Sequence, residues 1–211
     1  MAKKLNKGQT MTLKEFKRNY LRQYCLIEKD FANTIDYVSI SAVNYGTFSP
    51  AYLKILLSIG SEIDVLKDCV CKLLNTDMKH FSQVEPDFHS VLVEVRSEEI
   101  VLTPWDTTDS VPTWWTVYNE VKHNRNESAD RIDPLKRYYE YANLENVLSA
   151  LAGLYSLELL AYKIVAEQNN EKVFVPCLRS IFQVKNLYWK DISNGSGFVF
   201  FDGGLYTDEP F

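Results

Sequence analysis

A chain of 211 residues that is 46% apolar and 24% charged matches one ordinary folded domain and excludes global disorder. A formal net charge of -5 excludes a broad basic surface that binds nucleic acid by neutralising many phosphates, though it leaves room for a small local one. Cys25, Cys69, Cys71 and Cys177 have no C-x-x-C spacing, and His80, His89 and His123 complete no zinc pattern. Free thiols in a reducing, cytoplasmic setting are therefore expected, with no metal and no cofactor. The N-terminus is polar and no run of ~20 apolar residues predicts a bilayer crossing, so no membrane association is expected.

Residues 1–10 are polar. From Thr12 onward, Leu13, Phe16, Tyr20, Tyr24 and Ile27 recur at steps of three and four, which predicts an amphipathic helix running toward Tyr37. Thr12 with Glu15 forms a capping-box pattern at its start. Asn44 to Pro50 reads as a loop. Ser49–Pro50 then opens a second helix, with serine as cap and proline in the first turn. It carries Leu53, Leu56, Leu57, Ile63, Leu66, Val70, Leu73 and Leu74, and Ser58–Ile59–Gly60–Ser61 is a place where it can kink. A short helical segment is expected over Asp77 to His89, broken near Pro86.

Val91, Val93 and Val95 alternate with Leu92, Glu94 and Arg96, and Ile100 to Leu102 follows after Ser97–Glu98–Glu99. This predicts a hairpin over about 91–103. Trp105 to Val111 is a connector, and Pro112 starts a helix that ends near Asn124. After a polar loop, Asp133–Pro134 reads as the start of a long helix to about Gln168. Its stripe of Ala142, Asn146, Ser149, Ala150 and Gly153 predicts close approach by another helix. Beyond Asn170 the period changes to two, which predicts strands within 173–201 and a hairpin turn at Ser193 to Gly197. The expected fold is mainly α: a helical bundle with a small antiparallel β element. A single domain over 1–211 is expected, with a helical body at about 12–168 and a β-rich extension at about 171–211.

The densest patch of candidate chemistry is Trp114 to Arg125, WWTVYNEVKHNR. At 100° per residue, Trp114, Val117, Tyr118 and Val121 share one apolar arc. Thr116, Asn119 and His123 lie opposite, with Lys122 and Trp115 on the flank. If the helix ends near Asn124, Lys122, His123 and Arg125 form a compact cationic cluster at its C-terminus, where the helix dipole favours positive charge. Such a group suits a phosphodiester. A histidine near neutral pKa serves as acid or base, cations hold a phosphoryl group, and Asn119 orients the imidazole or a ribose hydroxyl. Trp115 offers a face for a base to stack on. The plainer alternative is a solvated histidine, with Lys122 and Arg125 capping carbonyls or pairing with Glu120, Glu127 or Asp130. On the second helix, Glu62, Asp64, Lys67 and Asp68 form a charged set that is either a solvated face or a partner for the cationic cluster.

The order Tyr118–Asn119 followed by His123 is similar to the helix-end polar motif of the HEPN superfamily, in which an arginine, commonly followed by asparagine, precedes a histidine by four to six residues. Asn119 and His123 match, whereas Tyr118 stands in the place of the arginine. An acidic residue followed by lysine on an earlier helix is also typical, and SEIDVLKD supplies Glu62, Asp64 and Lys67 in that region. The resemblance spans about residues 50 to 165 and implies a small helical domain. It further implies metal-independent ribonuclease activity or RNA binding, often in toxin, antitoxin and phage-defence settings and often with paired sites at a dimer interface. On that basis His123, Asn119 and Arg125 are the expected catalytic residues. Lys122, Trp115 and Lys67 are the expected substrate-binding residues, and Glu62 and Asp64 the supporting acids. The expected function is RNA binding or RNA cleavage, active or degenerate, in defence or stress response. The expected assembly is a homodimer or a complex with a protein partner such as an antitoxin-like subunit. The alternative expectation is a non-catalytic interaction or structural subunit of a bacterial defence assembly.

Overall fold

The computed structural model describes residues 11–77, 86–96, 98–106, 111–130, 132–169, 180–185, 189–190 and 198–199. The chain enters through a short helix, α1 (Leu13–Phe16), whose capping box is closed in both directions. The Thr12 backbone N–H donates to Glu15 at 3.0 Å and the Glu15 N–H donates to the Thr12 hydroxyl at 3.2 Å. One wider π-type turn follows at Lys17–Leu21 and leads into α2 (Arg22–Ile35). The three pieces together occupy the span predicted as one helix. The wider turn was not legible in the periodicity. It carries Tyr20, whose ring stacks on Phe16 at 5.1 Å.

Helix α3 (Pro50–Leu73) begins as its sequence dictates, with the Ser49 hydroxyl accepting from the Tyr52 N–H at 3.1 Å and Pro50 in the first turn. It runs unbroken through Ser58–Ser61. Gly60 serves a different purpose from a kink, because a Cβ placed there would overlap the ring of Tyr118. Asn75, at φ 51°, turns the chain out of the helix. Of the segment predicted as helix over 77–89, residues 78–85 lie outside the described residues, and Pro86–Ser90 is a 3-10 turn.

The predicted hairpin is present as β1 (Val93–Val95) and β2 (Ile100–Leu102), with Val93 opposite Leu102 and Val95 opposite Ile100. Strand β5 (Phe182–Val184) adds antiparallel to the other edge of β1. Val93, Val95, Phe182 and Val184 are all buried, so alternate residues of this small sheet close one side of the helical core.

Helix α4 (Thr113–Asn124) follows. Then comes a correction to the sequence reading, because the chain does not restart a helix at Asp133–Pro134. Residues Asp133–Arg137 form β4, paired with β3 (Ser128–Ala129), and Tyr138–Tyr141 is a 3-10 turn. The Asp133 carboxylate accepts from the Leu135 N–H at 3.0 Å, which makes a local turn rather than a helix cap. The long helix α5 (Leu144–Gln168) starts only after Asn143, whose side chain accepts from the Asn146 N–H. Ala142 thus precedes this helix. Asn146 anchors its start, donating to the Tyr141 carbonyl at 3.0 Å. At Gly153 the close approach is made by side chains rather than by a helix backbone. A Cβ there would sit 3.2 Å from the Trp114 ring and 3.6 Å from Trp105.

Among the described residues α5 is the one helix long and apolar enough for a membrane span, and 89% of its apolar window is buried inside the fold. It is the central element, packed against α1, α2, α3 and α4. Strands β6 (Trp189–Lys190) and β7 (Phe198–Val199) pair antiparallel. The turn predicted at 193–197 and the strand at 173–175 lie outside the described residues. The architecture is mainly α with a small antiparallel β element.

Candidate functional site

Helix α4 keeps the two faces that its sequence prescribes. Trp114, Val117, Tyr118 and Val121 are each at most 3% exposed. Thr116, Lys122, His123 and Arg125 are exposed, and Asn119 is half-buried. The inner face is fixed by specific partners. The Trp114 indole donates to the Pro104 carbonyl at 2.7 Å, and its ring meets Trp105 edge-on at 5.3 Å. Tyr118 packs on Gly60 and its hydroxyl reaches Asp64 at 3.4 Å. The position that carries arginine in the motif this segment resembles is therefore an aromatic plug between α3 and α4.

The flank of α4 meets α3 along a line of charged and aromatic groups that includes buried Tyr118. The Lys67 ammonium lies 4.3 Å from the centre of the Trp115 ring, and the Lys122 ammonium lies 5.3 Å from that of Tyr118. Both are cation–π distances. Trp115 and Tyr118 are themselves adjacent, 5.1 Å apart. Two cations are thus held on neighbouring rings, and exposed His123 follows Lys122 in the last turn of α4. Asn119 does not orient that histidine through its amide N–H, which donates to the Trp115 carbonyl of its own helix at 3.0 Å. Glu120 is held by Asn124 at 2.7 Å.

Arg125 closes α4 and turns to a different neighbour. It lines an open groove of about 560 Å³ with Glu62, Ser61, Ser58, Leu57, Leu53, Lys54, Pro50 and Gln23. Lys54 is engaged with Asp30 at 2.8 Å, whereas among the described residues neither Glu62 nor Arg125 has an ion-pair partner. Glu62 is half-buried, and burial pushes its carboxyl above the ordinary range. Asp64 is exposed and belongs to the Tyr118 side of the interface. The structure divides the sequence-predicted residues of α3 and α4 between two adjoining clusters and leaves His123 and Asn119 outside both, His123 exposed and Asn119 bonded within its own helix. One is Asp64–Lys67–Trp115–Tyr118–Lys122, and the other is Glu62–Arg125.

Two further acids escaped the sequence reading. Glu28 is buried and accepts from the Tyr24 hydroxyl at 2.8 Å, the Ser180 hydroxyl at 2.6 Å and the Ile181 N–H at 3.0 Å. Glu158, in the middle of α5, has no exposed surface, and neither carboxylate oxygen has a hydrogen-bond partner. Burial raises its pKa well above the ordinary value, and the Glu62 charge raises it further. The signal for Glu158 was available, as a lone acid inside an apolar run. Among the described residues, no cluster of three or more His, Cys, Asp or Glu side chains is arranged to hold a metal. Cys69 and Cys71 are buried, Cys25 is half-buried, and none of the three is in a disulfide.

No known protein family, curated protein or solved structure matches the chain.

Proposed function

We propose that this chain is an RNA-binding domain of HEPN-like type that acts in the cytoplasm and holds single-stranded RNA where the end of α4 meets α3. The observation that carries this reading is the paired arrangement of Lys67 on Trp115 and Lys122 on Tyr118, on a helix whose end also carries exposed His123 and Arg125. Cations that follow a backbone, interleaved with aromatic rings, are the chemistry of single-strand binding, which needs only a small local basic site. It is thereby compatible with a net charge of -5.

The role is binding, with the nuclease chemistry degenerate. His123 lacks the arginine that would stabilise charge on the transferring phosphoryl group, because residue 118 is a tyrosine committed to packing on Gly60. Asn119 is likewise engaged by its own helix. The test is equilibrium binding and gel analysis of mixed RNA in chelator, for wild type, Lys67→Ala/Lys122→Ala and His123→Ala. The expected result is binding that weakens with salt and falls about tenfold in the double variant, each phosphate contact contributing to the salt slope, with no cleavage by any protein. His123-dependent cleavage would replace the binding reading with a nuclease, and wild type that binds no RNA would end both.

A second reading is a protein-interaction subunit. It is favoured by the exposure of Leu135 at 94% and of Tyr37 and Val43 at 89% each, apolar surface of the kind that marks contact sites. Light scattering with Leu135→Lys beside wild type separates the readings. A self-associated wild type that the variant converts to monomer supports an interface at that edge.

A further inference from the structure

The groove between Glu62 and Arg125 has features that the cationic line beside it lacks. Its volume of about 560 Å³ falls in the roughly 300–1,000 Å³ range of small-ligand sites. Helix α3 supplies both an apolar strip, Pro50, Leu53 and Leu57, and the polar groups Ser61 and Glu62, while Gln23 on α2 and Arg125 at the end of α4 add polar groups from two other elements. A half-buried carboxylate and a guanidinium share this space without an ion pair between them. Exposed Arg125 and half-buried Glu62 are therefore both open to a ligand that carries hydrogen-bond donors and negative charge.

We infer that the groove receives a guanine base of the bound RNA strand, with Glu62 accepting from its N1–H and exocyclic N2–H and Arg125 holding the adjoining phosphate. The inference rests on the RNA-binding reading and adds a base preference to it. An ionised carboxylate is acceptor-only, with two parallel oxygens. Guanine is the base whose Watson–Crick edge offers two adjacent donors. Adenine and cytosine offer one amino group beside an acceptor, and uracil offers one N–H between two carbonyls. The apolar wall covers the base face, and Gln23 and Ser61 supply donors for O6.

Of the two acids Glu62 and Glu158, Glu158 is fully buried and keeps its proton to higher pH. Burial raises the Glu62 carboxyl, and Glu158 is raised by its own burial first and then by the charge of Glu62.

The experiment measures binding of the full chain to labelled single-stranded RNA decamers that differ at one central position, guanine, inosine or adenine, in an otherwise uridine sequence. Inosine lacks the exocyclic amine alone. The expected order is guanine tightest, inosine weaker by about tenfold and adenine weaker still, since one good bidentate base contact discriminates by that order. Glu62→Gln is expected to remove the preference, so that the guanine decamer binds no more tightly than the adenine one, with the melting temperature of the protein in place. Arg125→Ala is expected to weaken all three alike. RNA binding with no preference among the three bases overturns the guanine site and leaves the RNA reading intact. Full guanine preference in a folded Glu62→Gln also overturns it, and absence of RNA binding by wild type overturns both.

Discussion

Glu28 and Glu158 are both acids inside the same helical core, yet they are opposite cases. Glu28 collects three donors, one from its own helix and two from Ser180 and Ile181 more than 150 residues away. Glu158 collects none. A buried carboxylate with three donors is a fastening, and here it ties α2 to the segment that leads into β5. A buried carboxylate with no partner is an unrelieved desolvation cost, which the protein reduces by keeping it protonated. The two acids predict opposite responses to the same kind of substitution.

The largest effect is expected at Glu28. Glu28→Ala leaves a tyrosine hydroxyl, a serine hydroxyl and a backbone N–H without their acceptor, each costing about 1–3 kcal/mol where no water enters. A total loss of roughly 3–5 kcal/mol in denaturant-unfolding free energy is expected, accounting for partial solvation of the groups left behind. Glu158→Leu is expected to go the other way at neutral pH and stabilise by about 1–3 kcal/mol, because it removes a buried polar group that has no hydrogen-bond partner and fills its place with apolar volume. If Glu158→Leu instead costs as much as Glu28→Ala, the two acids are alike and the contrast between them is broken.

The pH dependence separates them next. Both acids have folded-state pKa values raised above the ordinary 4.5, Glu158 much the more. Between the unfolded and the folded value the folded chain holds the proton that the unfolded chain has released, so stability is fully present below about pH 4.5 and falls as pH rises toward the folded pKa. One such proton corresponds to at most ~1.4 kcal/mol per pH unit. Urea titrations between pH 5 and 7 are expected to show stability declining with pH in wild type and a flatter profile in Glu158→Gln. A profile unchanged by the substitution would place the titrating group elsewhere.

The difference between the acids also marks what a sequence can convey. The two faces of α4 were legible because segregation at 100° per residue is a local property, and the Thr12 and Ser49 caps are local as well. The hairpin at β1–β2 was legible from alternating valines. The β3–β4 pair was not, because Asp133–Pro134 is an acceptable helix start and only pairing of Arg137 with Ser128 decides against it. The fastening at Glu28 depends on a chain crossing of 152 residues, which periodicity does not encode. Of the candidate site, Asn119, His123 and the cations were visible as residue types. The division of those charges between the Trp115–Tyr118 line and the Glu62 groove follows from how α4 crosses α3, and Gly60 is the residue that permits that crossing.

Smaller effects test the fastening itself. Ser180→Ala removes one of the three donors to Glu28 and also the acceptor for the Phe182 N–H at 3.0 Å. A loss of about 1–2 kcal/mol is expected, the usual cost of one or two buried hydrogen bonds. Hydrogen exchange is expected to quicken at Phe182 and Val184 more than at Leu102 on the far edge of the same sheet. Equal quickening on both edges would mean that the serine supports the whole sheet rather than the attachment of β5.

The smallest effect uses Cys25 as a reporter that both acids reach. Its thiol is pushed up to about 11, first by burial, then by the charge of Glu28 and then by that of Glu158. Because the Glu28 charge acts more strongly on it, Glu28→Gln is expected to lower the Cys25 pKa more than Glu158→Gln does. Glutamine keeps the size of either side chain, so the burial contribution is held nearly constant. Alkylation of Cys25, followed by peptide mass spectrometry across alkaline pH, reads this directly, since the thiolate is the reacting form. The two substitutions are thus ranked by charge at a common site, independently of the stability they change. A larger shift from Glu158→Gln would mean that the partnerless acid, and not the fastened one, sets the field around α2.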